Sequence, residues 1–115
     1  MTVDEIMRLD EAQDRVEFKE ARTNFSYKGG NKPFKERRKC VLGYTVALCN
    51  EGGGKLIFGV KEQKVGLHEV VGSPVWKGQE VTLEQDIYVD LGIRVNSEVL
   101  FDNKGRRVLI LHVPG

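Results

Sequence analysis

A chain of 115 residues that is 40% hydrophobic and 30% charged, with a formal net charge of +1, suits one globular domain with a single core and excludes disordered and fibrous classes. No apolar run approaches the ~20 residues of a membrane span, and Met1-Thr2-Val3-Asp4-Glu5 lacks the basic and apolar regions of a secretory signal. A cytoplasmic protein with no membrane partner is therefore expected. The near-neutral total hides a cluster: residues 28 to 39 carry Lys28, Lys32, Lys35, Arg37, Arg38 and Lys39 against Glu36 alone.

In chain order, Thr2 followed by Glu5 reads as a capping box opening a short helix around Ile6, Met7 and Leu9. Val16-Glu17-Phe18-Lys19 alternates apolar and charged residues, which predicts a strand with Val16 and Phe18 facing the core and Glu17 and Lys19 sharing the other face. Residues 22 to 33, rich in Asn, Ser, Gly and Pro, read as a loop that a ligand could order. Phe34 to Asn50 reads as one helix, with Phe34, Val41 and Leu48 on a heptad face and Cys40, Tyr44 and Ala47 beside them, although Val41, Thr45 and Val46 would also suit a strand. Its basic start places Lys35, Arg37 and Arg38 at a positive dipole end, unfavourable for folding unless they meet an anion.

Gly52-Gly53-Gly54 ends that helix and leads into a buried strand, Lys55 to Val60, followed by a turn and a second short strand around Val65-Gly66-Leu67-His68. Thr82 and Gln85 read as a second capping box for an amphipathic helix carrying Leu83, Ile87, Tyr88 and Leu91 and ended by Gly92. Asp102-Asn103-Lys104-Gly105 marks the turn of a closing hairpin, Glu98 to Phe101 and Arg107 to Val113. The sum is an α+β single domain: a mixed, mainly antiparallel sheet with two to three packed helices.

Several chemistries are disfavoured. Cys40 and Cys49, if they share a helix, stand about 13.5 Å apart along its axis, too far for a disulfide, and are expected to be buried free thiols. Neither has a CxxC neighbour, and His68 and His112 stand alone, so structural roles and no metal are expected. Gly54-Lys55 is not a phosphate loop, because Leu56 stands where Ser or Thr is needed and Cys49 where the first glycine belongs. The glycines also follow a helix and precede a strand, the reverse of a dinucleotide fingerprint, so no cofactor is expected.

Taken together, Glu17-Phe18-Lys19, the run Ala47-Leu48-Cys49-Asn50-Glu51-Gly52-Gly53-Gly54, Leu56-Ile57-Phe58-Gly59-Val60 and Val65-Gly66 resemble the Schlafen-type Alba-like domain, also called the divergent AAA family. The match spans most of the chain. The resemblance implies an Alba-like fold and nucleic-acid binding, as in bacterial and archaeal transcriptional regulators and helicase-related proteins; such regulators continue into further domains, so this chain is expected to be an amino-terminal piece. Animal Schlafens of this family cleave transfer and ribosomal RNA, and that branch uses three carboxylates to bind a divalent metal. Here Glu17 matches one of them. The position of the first falls on Ala12, with Glu11 adjacent, and the third position, after Gly59-Val60, is occupied by Lys61-Glu62.

The leading expectation is a module that holds DNA or RNA by its phosphates through Lys19, Lys28, Lys32, Lys35, Arg37, Arg38 and Lys39, with Phe25, Tyr27 and Phe34 near enough to stack on bases. The alternatives are a metal-dependent endoribonuclease centred on Glu17, and an interaction domain that forms a homodimer through the exposed edge of the final hairpin. Trp76 and Tyr88 are expected to be core or interface residues.

Overall fold

In the computed structural model, which describes residues 1–30 and 34–115, the chain builds a four-stranded sheet flanked by helices on both faces. The strands are β1 (Val16–Lys19), β2 (Gly54–Phe58), β5 (Asn96–Phe101) and β6 (Arg107–Val113), and they lie side by side in the order β1-β2-β6-β5. β1 runs parallel to β2, with Phe18 beside Ile57; β2 and β6, and β6 and β5, are antiparallel. A separate two-stranded ribbon pairs β3 (Val60–Lys61) with β4 (Glu69–Val70). The class is α+β, with a mixed and mainly antiparallel sheet as expected.

The sequence of β2 and β6 explains their central position. Leu56, Ile57 and Phe58, and Val108 to Leu111, are all fully buried, because each strand is covered on both faces and so reads as a continuous apolar run. Leu56, Phe58, Leu109 and Leu111 face two helices, α4 (Val41–Asn50) and α5 (Glu80–Leu91), and meet Val41, Leu48, Leu83 and Ile87. Ile57, Val108 and Ile110 face the other way, with Val16, Phe18 and the ribbon, onto Ile6 of α1 (Val3–Met7). Val16 and Phe18 are buried and Glu17 and Lys19 point to the opposite face, as the alternation requires. Trp76 packs on Phe58 with ring centroids 5.8 Å apart, while Tyr88 is half exposed under the Arg94 guanidinium.

The capping box of α1 forms as read, with Thr2 Oγ1 accepting from the Glu5 amide and the Glu5 carboxylate accepting from the Thr2 amide. Gly92 ends α5 at φ 69°, and Asp102 closes the last turn by accepting from the Lys104 and Arg106 amides. Gly52 and Gly53, at φ 100° and 98°, end α4, where the Gly53 amide donates to the Leu48 carbonyl at 2.8 Å.

Several local expectations are corrected, among them the strand read over Lys55 to Val60, which ends at Phe58 because Gly59 turns at φ 103° and Val60 joins the ribbon. A short helix, α2 (Glu11–Asp14), precedes β1, capped by Asp10 and stopped by Arg15 in the left-handed region. The long helix expected over 34 to 50 is two: α3 (Phe34–Arg37) and α4. They separate because Cys40 is extended and the Val41 and Leu42 amides donate to the Ser26 and Tyr27 carbonyls instead of to the preceding turn. Cys40 is therefore a cap rather than a helical residue; both cysteines are free, Cys40 buried and Cys49 only half-buried.

The strand expected at 65 to 68 is a turn, with β4 beginning at Glu69. His68 is buried there, its Nδ1 accepting from the Gln63 amide and its Nε2 meeting the Leu9 carbonyl at 2.8 Å. Finally, α5 starts before Thr82: its cap position, Gln79, makes no side-chain bond, and Glu80 accepts from the Gly78 amide instead. No helix among the described residues is long and apolar enough to cross a membrane.

Candidate nucleic-acid interface

The basic segment is tied to the domain from three sides. The Ser26 and Tyr27 carbonyls accept from the start of α4 at 2.9 and 3.1 Å. The Tyr27 hydroxyl donates to Asp90 of α5 at 2.7 Å, and burial together with that carboxylate pushes its pKa far above the usual tyrosine value. The Phe25 ring lies 5.0 Å from Phe58 in the core and 6.2 Å from Tyr44 of α4.

Two glycines allow the resulting close approach. A Cβ on Gly29 would stand 2.6 Å from both Cβ and the carbonyl oxygen of Arg37, and one on Gly43 would overlap the Arg38 carbonyl, whose carbon would be 2.8 Å away. Neither glycine is there to adopt an unusual backbone angle; each makes room for the backbone that carries an arginine.

This packing brings Lys28, Arg37 and Arg38 to the border of one groove, of about 720 Å³, whose wall is the outward side of α4. Leu42, Tyr44, Val46 and Ala47 line that wall, and Asn50 closes its far end. The remaining predicted cations lie elsewhere or outside the description. Lys39 is exposed and pairs with Glu36 at 3.6 Å. Lys32 falls outside the described residues, as do the side chains of Lys35 and Phe34.

Lys19 does not border the groove. Its ammonium lies 3.1 Å from Glu17 and 4.4 Å from the centroid of the Tyr44 ring, so Tyr44 stands between it and the basic residues. Burial works against the Lys19 charge, but hydrogen bonding to Tyr44 and Glu17 outweighs it and raises the pKa. The first amides of α4 are taken by Ser26, Tyr27 and the Cys40 sulfur, so they are not left for an anion. Phe25 and Tyr27, expected near the bases, are committed to internal contacts; Tyr44 is the aromatic in the groove wall, a few residues after the basic segment.

The acidic residues divide. Glu11 accepts from the Phe18 amide at 2.9 Å. Burial raises its pKa against that hydrogen bond, the Glu62 charge adds to the rise, and Lys19 opposes it. Glu11 and Glu62 are thus brought together, while Glu17 is engaged by Lys19. Among the described residues, no three His, Cys, Asp or Glu side chains gather so as to hold a metal ion.

No curated protein matches this sequence. Among solved structures, the chain is similar to a protein from Corynebacterium diphtheriae, at 19% identity and a TM-score of 0.57, over 92% of this chain and 22% of that one. It is similar also to the N-terminal domain of a RecG-related protein from Nitrosomonas europaea, at 19% identity and a TM-score of 0.55, over 99% of this chain and 73% of that one. The chain therefore spans about a fifth of the Corynebacterium protein, and at these identities the likeness is one of fold. The Schlafen, AlbA_2 family profile matches residues 13–115, nearly the whole chain, and with the sheet order and the Glu17-Phe18-Lys19 strand in place this protein belongs to that family.

Proposed function

We propose that the domain is a nucleic-acid-binding module, working within a longer regulatory or helicase-related protein, and that it grips DNA or RNA through phosphates. The observation that carries the reading is the convergence of Lys28, Arg37 and Arg38 on one groove, from two segments held together by the Gly29 and Gly43 contacts. Three cations on one border neutralise neighbouring phosphates of a single strand or a duplex rim and release counterions, which makes affinity fall with salt. Lys39, exposed next to Arg38, adds to the positive charge of that segment. The RecG-related neighbour and the family support the same role.

Fluorescence anisotropy with a labelled oligonucleotide at several salt concentrations tests it. Each phosphate neutralised adds roughly 0.7 to 0.9 to the log–log slope, so three groove contacts give about 2 to 3. The double substitution Arg37→Gln/Arg38→Gln should lower the slope by about 1.4 to 1.8 on a chain shown to be folded by circular dichroism. Absence of binding to any nucleic acid at low salt overturns the proposal.

A second reading, a metal-dependent endoribonuclease centred on Glu17, is favoured by one observation: Glu11 and Glu62 line one recess beside the start of β1. Structured RNA incubated with manganese should then be cut, and Glu17→Gln should abolish the cleavage. Intact RNA under those conditions removes this reading.

A further inference from the structure

From the shape and chemistry of the same groove, we propose that its ligand is a single strand whose unstacked base lies against the apolar wall of α4 while its phosphates meet Lys28, Arg37 and Arg38. The inference rests on the nucleic-acid reading above and adds what the basic residues alone do not specify. α4 is apolar on its outward side as well as its inward one: Val41, Thr45 and Leu48 go into the core, yet Leu42, Tyr44, Val46 and Ala47 line the groove, and Val46 is 39% exposed. A helix on a protein surface ordinarily turns charged and polar residues outward. Here the ten residues of α4 carry no charged side chain at all, and among the described residues the cations of the groove, Lys28, Arg37 and Arg38, precede α4 in the chain.

A duplex keeps its bases paired and stacked inside, so it would bring only sugar and phosphate to this wall and leave its apolar surface unmatched. A single strand presents both chemistries together, since every base has an apolar face and a polar edge beside a charged backbone. The wall supplies a counterpart for each. Between Leu42 and Asn50 it runs about 12 Å, with guanidinium groups and Lys28 at the start, apolar side chains along it, and the Asn50 amide at the end to pair with a base edge.

Tyr44 is held before any ligand arrives. Phe25 packs against it from the core side, and the Lys19 ammonium lies 4.4 Å from its ring centroid. A ring fixed in this way loses little conformational freedom when a base packs beside it. Lys19 thereby acts on the groove through Tyr44 without touching the ligand, which accounts for a buried-side cation in a strand otherwise remote from the basic border.

The test is a set of labelled probes of equal length: a base-bearing single strand, the same strand with abasic sites, and the duplex, each made with ribose and with deoxyribose. The base-bearing strand should bind roughly five- to a hundredfold more tightly than its abasic counterpart at the same salt concentration, the range expected for one stacked base, and at least as tightly as the duplex. Val46→Asn, a change at a half-exposed site, should close most of that gap and leave the salt slope unchanged. Equal binding of base-bearing and abasic strands, or tighter binding of the duplex, overturns the inference while leaving phosphate binding intact. Failure of every probe to bind at low salt overturns the nucleic-acid reading itself and this inference with it.

Discussion

Substituting Gly43 by alanine sets two effects of opposite sign against each other in one experiment. In a helix interior alanine is favoured over glycine by about 1 kcal/mol. The new Cβ, however, would overlap the Arg38 carbonyl, with its carbon only 2.8 Å away, and that carbonyl belongs to backbone rather than to a flexible side chain. Forcing a methyl group into packed backbone costs about 2 to 3 kcal/mol, so a net loss of about 1 to 2 kcal/mol is expected. For 115 residues the unfolding entropy near the midpoint is about 0.24 kcal/mol/K, which converts the loss to a fall in Tm of about 4 to 8 °C. Thermal unfolding followed by circular dichroism measures this, with urea titration as a second probe. Gly30→Ala serves as a comparison, since its Cβ would meet nothing within 4 Å and only the backbone angle, φ 57°, resists it, at a cost of about 1 kcal/mol. A Tm for Gly43→Ala at or above that of the parent protein would refute the close approach of the Arg38 backbone to α4, and with it the geometry that holds the basic border of the groove.

Thr45 is fully buried on α4 and its hydroxyl has no hydrogen-bond partner among the described residues, so Thr45→Val should raise stability by about 1 kcal/mol, read as a higher urea midpoint with an unchanged slope. Glu11 has a raised pKa, from burial first and from Glu62 among the further causes, so the stability linked to its protonated form is present below the unfolded value and lost as pH rises through the raised folded value. Glu62→Gln should accordingly stabilise the protein at pH 7, and the effect should fade in acid as Glu11 takes up its proton; an effect that does not fade would contradict their proximity. Asp102 has the opposite sign. Partial burial opposes its charge, but hydrogen bonds from Arg106 and Lys104 outweigh it and lower the pKa, so its contribution is present above the unfolded value and disappears as pH falls below about 4. Asp102→Ala should lower the neutral-pH Tm and flatten the acid side of the stability profile.

What was legible in the sequence were the features whose physics is local. The alternation in Val16-Glu17-Phe18-Lys19, the buried apolar run Leu56-Ile57-Phe58 of β2, the capping box at Thr2 and the glycines that end α4 and α5 each act within a few residues, and each took the form read from it. The family likewise lay in the spacing of those motifs. Only the tertiary structure decided where competing local options ended. Whether residues 34 to 50 form one helix or two depended on carbonyls of Ser26 and Tyr27, far enough back in the chain that no periodicity carries them. The turn at 65 to 68 was settled by His68 reaching the Gln63 amide and the Leu9 carbonyl. The groove depended most on long-range contact, because Lys28 meets Arg37 and Arg38 through a glycine contact, and Tyr44 meets Lys19 across the β1–α4 crossover. Charge along a chain records how many cations are present, whereas the neighbour each one keeps is set by close packing of backbones, which a linear pattern does not contain.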